Sequence, residues 1–199
     1  MIWAFIILFL AAFTMGVIGA PSWGLFILMF LFLAYLFRFY YYHVLFGKNA
    51  EKIKHYLSKS KIPHYRFIYQ LLYGNEAEAE KILNRIKQKT AKDQANVMLL
   101  TKQKKYKEAK ELLSKMKDNK VKFYYGAVIS LHEGNQHACN SYKEQIKDNV
   151  YLSWLKAEEY VLEGNTNEAI EIVDKQIPHL RGLKLLSAVH YRDSMTQDV

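Results

Sequence analysis

The N-terminal part of the sequence is almost purely apolar, whereas apolar and charged positions alternate through the rest. Residues 1–37 contain no Asp, Glu, Lys or Arg, so every formal charge lies in residues 38–199. Ile2 to Gly19 would extend about 27 Å as a helix, close to the roughly 30 Å hydrocarbon core of a bilayer. A second apolar stretch runs from Trp23 to Tyr42. The pattern predicts two transmembrane helices that form a hairpin over residues 1–46.

The turn of this hairpin is predicted at Pro21, which cannot extend the first helix but suits the first turn of a second one. Trp3 and Trp23 would then lie at opposite membrane interfaces, where aromatic side chains concentrate. Arg38 is the first charge, and five lysines follow it by residue 61. Because positive charge marks the cytoplasmic side, we expect a multi-pass protein of the cell membrane with two spans and both termini in the cytoplasm.

A cleaved signal peptide is the competing interpretation of residues 1–20. It is disfavoured because the segment lacks a basic start and a second apolar stretch follows at once. Within the first predicted span, small residues recur every four positions at Ala12, Gly16 and Ala20. Such a stripe lets helix backbones approach closely. It would pack against the second span or against another membrane protein.

Beyond residue 60, the sequence repeats with a period of 30 residues. Four segments align without gaps around Gly74, Lys104, Gly134 and Gly164. In each segment a small residue follows five positions later, and these residues are Ala79, Ala109, Cys139 and Ala169. Seven positions before each reference position come Phe67, Val97, Ala127 and Ala157. A fixed period of this length indicates one supersecondary unit copied along the chain.

The unit has the pattern of a helix–turn–helix. Apolar residues recur at helical spacing after the small residue, as at Ala79, Ile82, Leu83 and Ile86. The glycine position is suited to end a first helix in the left-handed cap conformation. The small residue then lies early in a second helix, where the two helices cross closely. We therefore predict an all-α fold with about four such units over residues 61–180.

The repeat resembles the tetratricopeptide repeat. The family's G-[DN]-x-x-x-A signature occurs as Gly164, Asn165 and Ala169, and again as Gly74, Asn75 and Ala79. The sequence departs from the family in its shorter period and in Lys104 and Cys139, which replace the expected glycine and alanine. The resemblance implies an α-hairpin solenoid whose first helices line a concave binding surface. Residues 47–60 would form an amphipathic linker helix, and residues 181–199 a capping helix and tail.

Charge is divided unevenly along the polar part. The formal balance is +13 in residues 38–122 and −4 in residues 123–199. The basic half adjoins the apolar segment, where anionic membrane lipids attract each Lys or Arg by roughly 1 kcal/mol. We therefore expect membrane lipids, and not nucleic acid, as the partner of this charge. The single cysteine, Cys139, suits a reducing compartment, and the abundance of Lys, Ile, Tyr and Asn favours a low-GC Gram-positive bacterium.

No familiar catalytic or cofactor motif occurs in the sequence, whether a P-loop, GxGxxG, HExxH, CxxC or GxSxG. His132, His137 and Cys139 come closest to a metal cluster, but their spacing straddles a repeat turn and Cys139 is expected in the core. The glutamates of residues 158–163 are expected on a solvated helix face. We expect no enzymatic activity, cofactor, metal or small-molecule substrate.

Aromatic residues concentrate in the predicted first helices. Tyr and Trp combine a large contact area with a polar tip, which suits recognition of a peptide. Ordinary interhelical core is the alternative for part of this set. The candidates for partner binding are Tyr65, Tyr69, Tyr124, Tyr151 and Trp154.

Together these features predict a membrane-anchored cytosolic scaffold that binds a partner protein or peptide through a concave surface. The alternative is a structural subunit or assembly factor of a membrane protein complex that contacts the complex through its transmembrane hairpin. A membrane enzyme is the third class, but it would need polar or ionisable side chains within the spans, and the predicted spans contain few of them.

Overall fold

The computed structural model describes residues 10, 12–14, 16–19 and 21–197. Among these residues the regular structure is helical and contains no strand, which confirms the all-α prediction. The α-helices from residue 21 onward are α1 (Ser22–Tyr40), α2 (Tyr42–Phe46), α3 (Ala50–Lys59), α4 (Pro63–Tyr73), α5 (Glu76–Leu83), α6 (Lys89–Lys102), α7 (Tyr106–Lys115), α8 (Lys120–His132), α9 (Gln136–Lys143), α10 (Asn149–Leu162), α11 (Thr166–Gln176) and α12 (Gly182–Gln197). A single 3₁₀ turn, Ile177–His179, connects α11 to α12.

The second apolar stretch forms helix α1, which begins directly after Pro21 and ends in a break at Tyr41. Most of the first predicted span, including Trp3 and Ala20, lies outside the described residues. Within the part of the chain that is described, no helix combines the length and the apolar character needed to cross a membrane. The two-span hairpin therefore stays a prediction.

Residues 63–176 form four consecutive helical hairpins, α4–α5, α6–α7, α8–α9 and α10–α11. Their second helices begin at residues 76, 106, 136 and 166, so the 30-residue period of the sequence is also the period of the structure. Asn75 and Asn135 start two of these helices, because each side chain accepts a hydrogen bond from a backbone N–H of the first turn. The chain is thus a helical repeat protein.

The turn inside each hairpin depends on the residue at the glycine position. Lys104, Gly134 and Gly164 have φ angles of 57°, 71° and 81°, in the left-handed region that closes a helix end. Gly74 departs from this prediction, with φ −107° and ψ −141°. Lys104 is the one non-glycine residue at positive φ among the described residues, and a side chain there costs about 1 kcal/mol.

The small and apolar repeat positions lie in the core. All eight have zero exposure, and they are Ala79, Ala109, Cys139 and Ala169 in the second helices and Phe67, Val97, Ala127 and Ala157 in the first. One hydrophobic cluster joins the second hairpin to the third through Val97, Leu113 and Ile129. Another joins the third to the fourth through Val128 and Leu155.

The largest cluster joins the two ends of the repeat array. It includes Phe67 from the first hairpin, Trp154 from the fourth, Ile53 from α3 and Leu186 from α12. Successive first helices pack against one another, and α12 packs back onto α2, α3 and α11. The C-terminal helix therefore closes the array, where the sequence predicted a cap on its last repeat.

Candidate functional site

The candidate site is the surface of the first helices α4, α6, α8 and α10 that faces α12, which we call the inner face. Helix α10 contributes Tyr151, Trp154 and Glu158, whose spacing of three and four residues places them on one side of a helix. Tyr151 approaches Lys184 of α12, and Glu158 contacts Tyr191 of α12. This side of α10 thus forms part of the inner face.

Aromatic rings form the middle of the inner face. The ring centroid of Tyr124 on α8 lies 4.9 Å from that of Tyr151 and 6.4 Å from that of Trp154. The Tyr151 and Trp154 centroids are 5.5 Å apart and the rings meet edge to face, an arrangement that stabilises aromatic pairs. Burial raises the pKa of the Tyr124 and Tyr151 phenols, so both stay neutral hydrogen-bonding groups.

A polar network centred on Glu158 crosses from the repeats to α12. One carboxylate oxygen lies 2.7 Å from His132 Nε2, and the other accepts a 2.5 Å hydrogen bond from the Tyr191 hydroxyl. Burial alone would raise the pKa of the Glu158 carboxyl, but the His132 and Tyr191 hydrogen bonds outweigh burial and hold the pKa below its usual range. Tyr106 stacks on the His132 ring at 5.7 Å. The prediction that Glu158 lies on a solvated face is wrong.

A second ionic contact fixes the start of α12. Lys184 Nζ lies 2.7 Å from the Asp148 carboxylate and 5.5 Å from the centre of the Tyr151 ring. Asp148 also caps α10, since it accepts a hydrogen bond from the Val150 N–H. Burial acts to raise the pKa of Asp148, but Lys184 and the Val150 N–H hold it below the usual value. One carboxylate thus serves both the fourth hairpin and the C-terminal helix.

The first hairpin meets α12 through Tyr73 and His190, whose rings pack edge to face with centroids 4.9 Å apart. Lys54 Nζ lies 4.5 Å from the centre of the Tyr73 ring. Burial and nearby acidic groups raise the pKa of Tyr73 to about 12. Burial, helped by Lys102, lowers the pKa of His190, so the imidazole is neutral at pH 7. Helix α12 therefore contacts both the first and the fourth hairpins.

One polar atom of the inner face lacks a partner. Trp154 is only 9% exposed, and its buried indole N–H forms no hydrogen bond within the protein. A buried donor without an acceptor costs about 1–3 kcal/mol, and a natural protein has few of them. The aromatic rings of the inner face are thus packed against one another, but the Trp154 N–H is left without an acceptor.

The other predicted site residues lie apart from this network. Tyr65 and Tyr69 are half-buried on α4, with their rings 6.2 Å from Tyr56 and 6.1 Å from Tyr73. Gly74 is exposed. Ala12 is half-buried and Gly16 exposed, whereas Ala20 lies outside the described residues.

The metal-like trio does not assemble. His132 turns to Glu158, and Cys139 is fully buried between the third and fourth hairpins. Among the described residues, no three His, Cys, Asp or Glu side chains converge as metal ligands.

Sequence reasoning missed Glu158 and every contact of α12. The spacing of Glu158 from Tyr151 and Trp154 was the available signal, because it places the carboxylate on the same side of α10. The α12 contacts join residues such as Tyr73 and His190, which lie far apart in the sequence, so the local pattern carried no signal for them.

No protein-family model, curated protein or solved structure gives a significant match to this chain. The geometry alone therefore defines what the inner face can do. It is a surface of aromatic rings with a partly buried carboxylate and an indole N–H that has no partner, and it holds an α-helix by apolar packing and a few directed polar contacts.

Proposed function

We propose that this protein is a membrane-anchored scaffold, in which an apolar N-terminal hairpin holds a tetratricopeptide-like repeat domain at the cytoplasmic side of a membrane. The repeat domain binds a partner protein. The observation that carries the proposal is the separation of exposed apolar side chains from the rest of the described chain.

The exposed apolar side chains are confined to the N-terminal part. Of the 19 large hydrophobic residues exposed among the described residues, 18 lie between Leu10 and Phe46, and the other is Leu162. Phe26 and Phe30 on α1 are 67% and 70% exposed. A contiguous apolar surface of this extent is unfavourable in water and indicates a membrane or protein contact. Arg38 lies over the Tyr42 ring at 4.2 Å, a pair suited to a membrane interface.

The repeat geometry supports the family resemblance and the binding role. Four hairpins with a common period, buried small residues at the crossing position and directly packed first helices are features of tetratricopeptide-like solenoids. Such solenoids use extended surfaces to bind other proteins. Under this proposal the aromatic inner face is the binding surface.

Membrane anchoring is tested by alkaline carbonate extraction of membranes that contain the full chain. Phe30→Asp should shift protein from the pellet to the supernatant, because a charge at the centre of a span costs about 2.5–3.5 kcal/mol. Leu162→Asp is the matched control, since it places the same charge at the exposed hydrophobic position outside the N-terminal part. Equal extraction of the two variants would contradict the anchor.

Topology is tested with cysteine reporters and a membrane-impermeant maleimide on intact cells. Cys139 gives a low background because it is buried. Ala77→Cys, at an exposed site on α5, should react only after lysis, whereas Pro21→Cys should react in intact cells. Labelling of Ala77→Cys in intact cells would place the repeat domain outside and overturn the proposal.

Partner binding is tested by crosslinking in cells, followed by purification of the intact protein in detergent. A photoreactive residue at Tyr69, which is half-buried on α4 beside Tyr73, should give a discrete adduct, and one at Glu111 on the exposed side of α7 serves as the control. Purification of the intact chain without any stoichiometric partner, and without a discrete adduct, would count against the scaffold.

The alternative role, a subunit or assembly factor that docks through its N-terminal segment, is favoured by one observation. Apart from its neighbours in its own helix, no atom of the described residues lies within 4 Å of the position that a Cβ on Gly16 would occupy, which leaves room there for a second protein. Gly16→Ile should then break a membrane complex while partner crosslinking at Tyr69 persists. Retention of the complex would remove this alternative.

A further inference from the structure

Helix α12 is buried or half-buried along nearly its whole length. No residue from Arg181 to Met195 is exposed as a whole, and water reaches the helix at polar side chains such as Arg192 and Asp193. Leu186 and Ala188 have zero exposure. The helix therefore occupies a groove, and the inner face forms one wall of it.

The connection between α12 and the inner face is made by side chains. The backbone of α12 comes closest to α2, α3 and α11, and it reaches the first helices through the Tyr191–Glu158, Lys184–Asp148 and His190–Tyr73 contacts. The second hairpin is joined to the third, and the third to the fourth, through clusters that contain no residue of α12. The first hairpin meets the second within the cluster that also contains α12. Displacement of α12 thus leaves the second-to-third and third-to-fourth connections in place.

The chemistry of the groove matches α12 incompletely. Glu158 is a partly buried carboxylate that needs donors, and α12 supplies one through Tyr191. The Trp154 indole N–H needs an acceptor, and α12 supplies none. A different helix that placed an oxygen acceptor beside the Trp154 N–H would match the site better than α12 does.

We propose that the inner face is a binding site for an α-helix of a partner protein, and that α12 occupies it as a built-in competitor. The partner helix has an apolar side, a hydroxyl-bearing residue that donates to Glu158 and a side-chain oxygen that accepts from Trp154. This inference rests on the proposed function, because it requires a partner protein. It adds the chemistry of the partner helix and the regulation of its binding by α12. Binding requires α12 to leave, so the apparent affinity is reduced by the fraction of molecules in which the groove is open.

The first test measures the opening of α12 by native-state hydrogen exchange on the full chain in detergent. Tyr191→Phe removes only the hydroxyl that donates to Glu158. Since a hydrogen bond to a charged group is lost, exchange in α12 should accelerate roughly ten- to hundred-fold, while exchange in α6–α9 stays unchanged. Tyr160→Phe, on α10 but outside the network, is the matched control and should leave exchange in α12 unchanged. Acceleration throughout all four hairpins would show that α12 opens only with the whole domain and would overturn the proposal.

The second test asks whether the opened groove accepts a helix. A fluorescent peptide with the sequence of residues 182–197 is titrated into the wild-type, Tyr191→Phe and Tyr160→Phe chains, beside a peptide of scrambled order. The native peptide should bind the Tyr191→Phe chain at least tenfold more tightly than the wild type, and the scrambled peptide should bind neither. Equal binding of both peptides, or no gain with Tyr191→Phe, would overturn the proposal.

The two levels of the hypothesis fail in different ways. If α12 opens and the peptide binds but no partner crosslinks in cells, the proposed scaffold function fails and the helix site stands. If a partner crosslinks to the intact chain while α12 remains as protected from exchange as in the free protein, the scaffold stands and the displacement of α12 is wrong.

Discussion

Gly182, the first residue of α12, is the position where the structure makes its most specific prediction about stability. Its φ is +57°, and its backbone N–H donates a 2.8 Å hydrogen bond to the carbonyl of Gly47. A Cβ at this position would lie 1.9 Å from the Val44 carbonyl oxygen, so the two segments would have to separate by more than about 1 Å. Gly182→Ala therefore imposes backbone strain and a steric clash together.

The control for Gly182→Ala is Gly134→Ala. Gly134 also has positive φ, at 71°, but apart from its chain neighbours no atom of the described residues lies within 4 Å of its Cβ position. Gly134→Ala should cost about 1–2 kcal/mol for the left-handed backbone alone. Gly182→Ala adds the clash and the loss of the hydrogen bond to Gly47, and we expect a total cost of about 3–5 kcal/mol.

The assay is urea unfolding of the full chain in detergent, followed by circular dichroism, with hydrogen exchange of α12 as a second readout. Gly182→Ala should lower the midpoint clearly more than Gly134→Ala and should selectively lower the protection of α12. Equal midpoints for the two variants would refute the close approach of α12 to the segment that follows α1.

Three further changes test separate features. Lys104→Gly should raise stability to urea by about 0.5–1 kcal/mol, because glycine relieves the left-handed backbone, and a loss of stability would contradict the strain assigned to this turn. The Cys139 thiol should resist alkylation at pH 8 until the chain unfolds, because it is fully buried and burial raises its pKa, and rapid reaction with the native chain would contradict its place in the core. The third prediction concerns pH. Burial beside Lys102 and Tyr73 lowers the pKa of His190 in the folded state. Below the ordinary histidine pKa of about 6.5, the unfolded chain therefore binds more protons than the folded chain. Stability should therefore fall as pH drops from 7 through this range, and His190→Asn should flatten the dependence measured by urea titration at each pH.

The repeat array was predictable because the determinants of a helical hairpin are local. A small residue at a fixed distance from a turn specifies where each second helix begins, and in two of the four hairpins the side chain of Asn75 or Asn135 also caps that helix. The 30-residue spacing therefore set the starts at residues 76, 106, 136 and 166. Gly74 shows the limit of this reasoning, since the same residue type in the same register adopts a different backbone conformation.

The closure by α12 was not predictable from the same pattern. The curvature of a repeat array accumulates from a small rotation between neighbouring repeats, and no single residue encodes it. Whether Tyr73 meets His190, and whether Tyr191 reaches Glu158, depends on the sum of these rotations. The aromatic residues of the first helices were recognisable in sequence, whereas their coverage by the chain's own C-terminal helix depends on the global shape.

The closure also limits how this protein can change in evolution. Open solenoids gain and lose repeats readily because each unit contacts only its neighbours. Here α12 contacts Tyr73 in the first hairpin and Glu158 in the fourth. A duplication or deletion of one 30-residue unit would preserve every local hairpin yet change the distance that α12 must bridge. The C-terminal helix thus fixes the number of repeats at four, and descendants of this chain should vary in side chains and turns more readily than in repeat number.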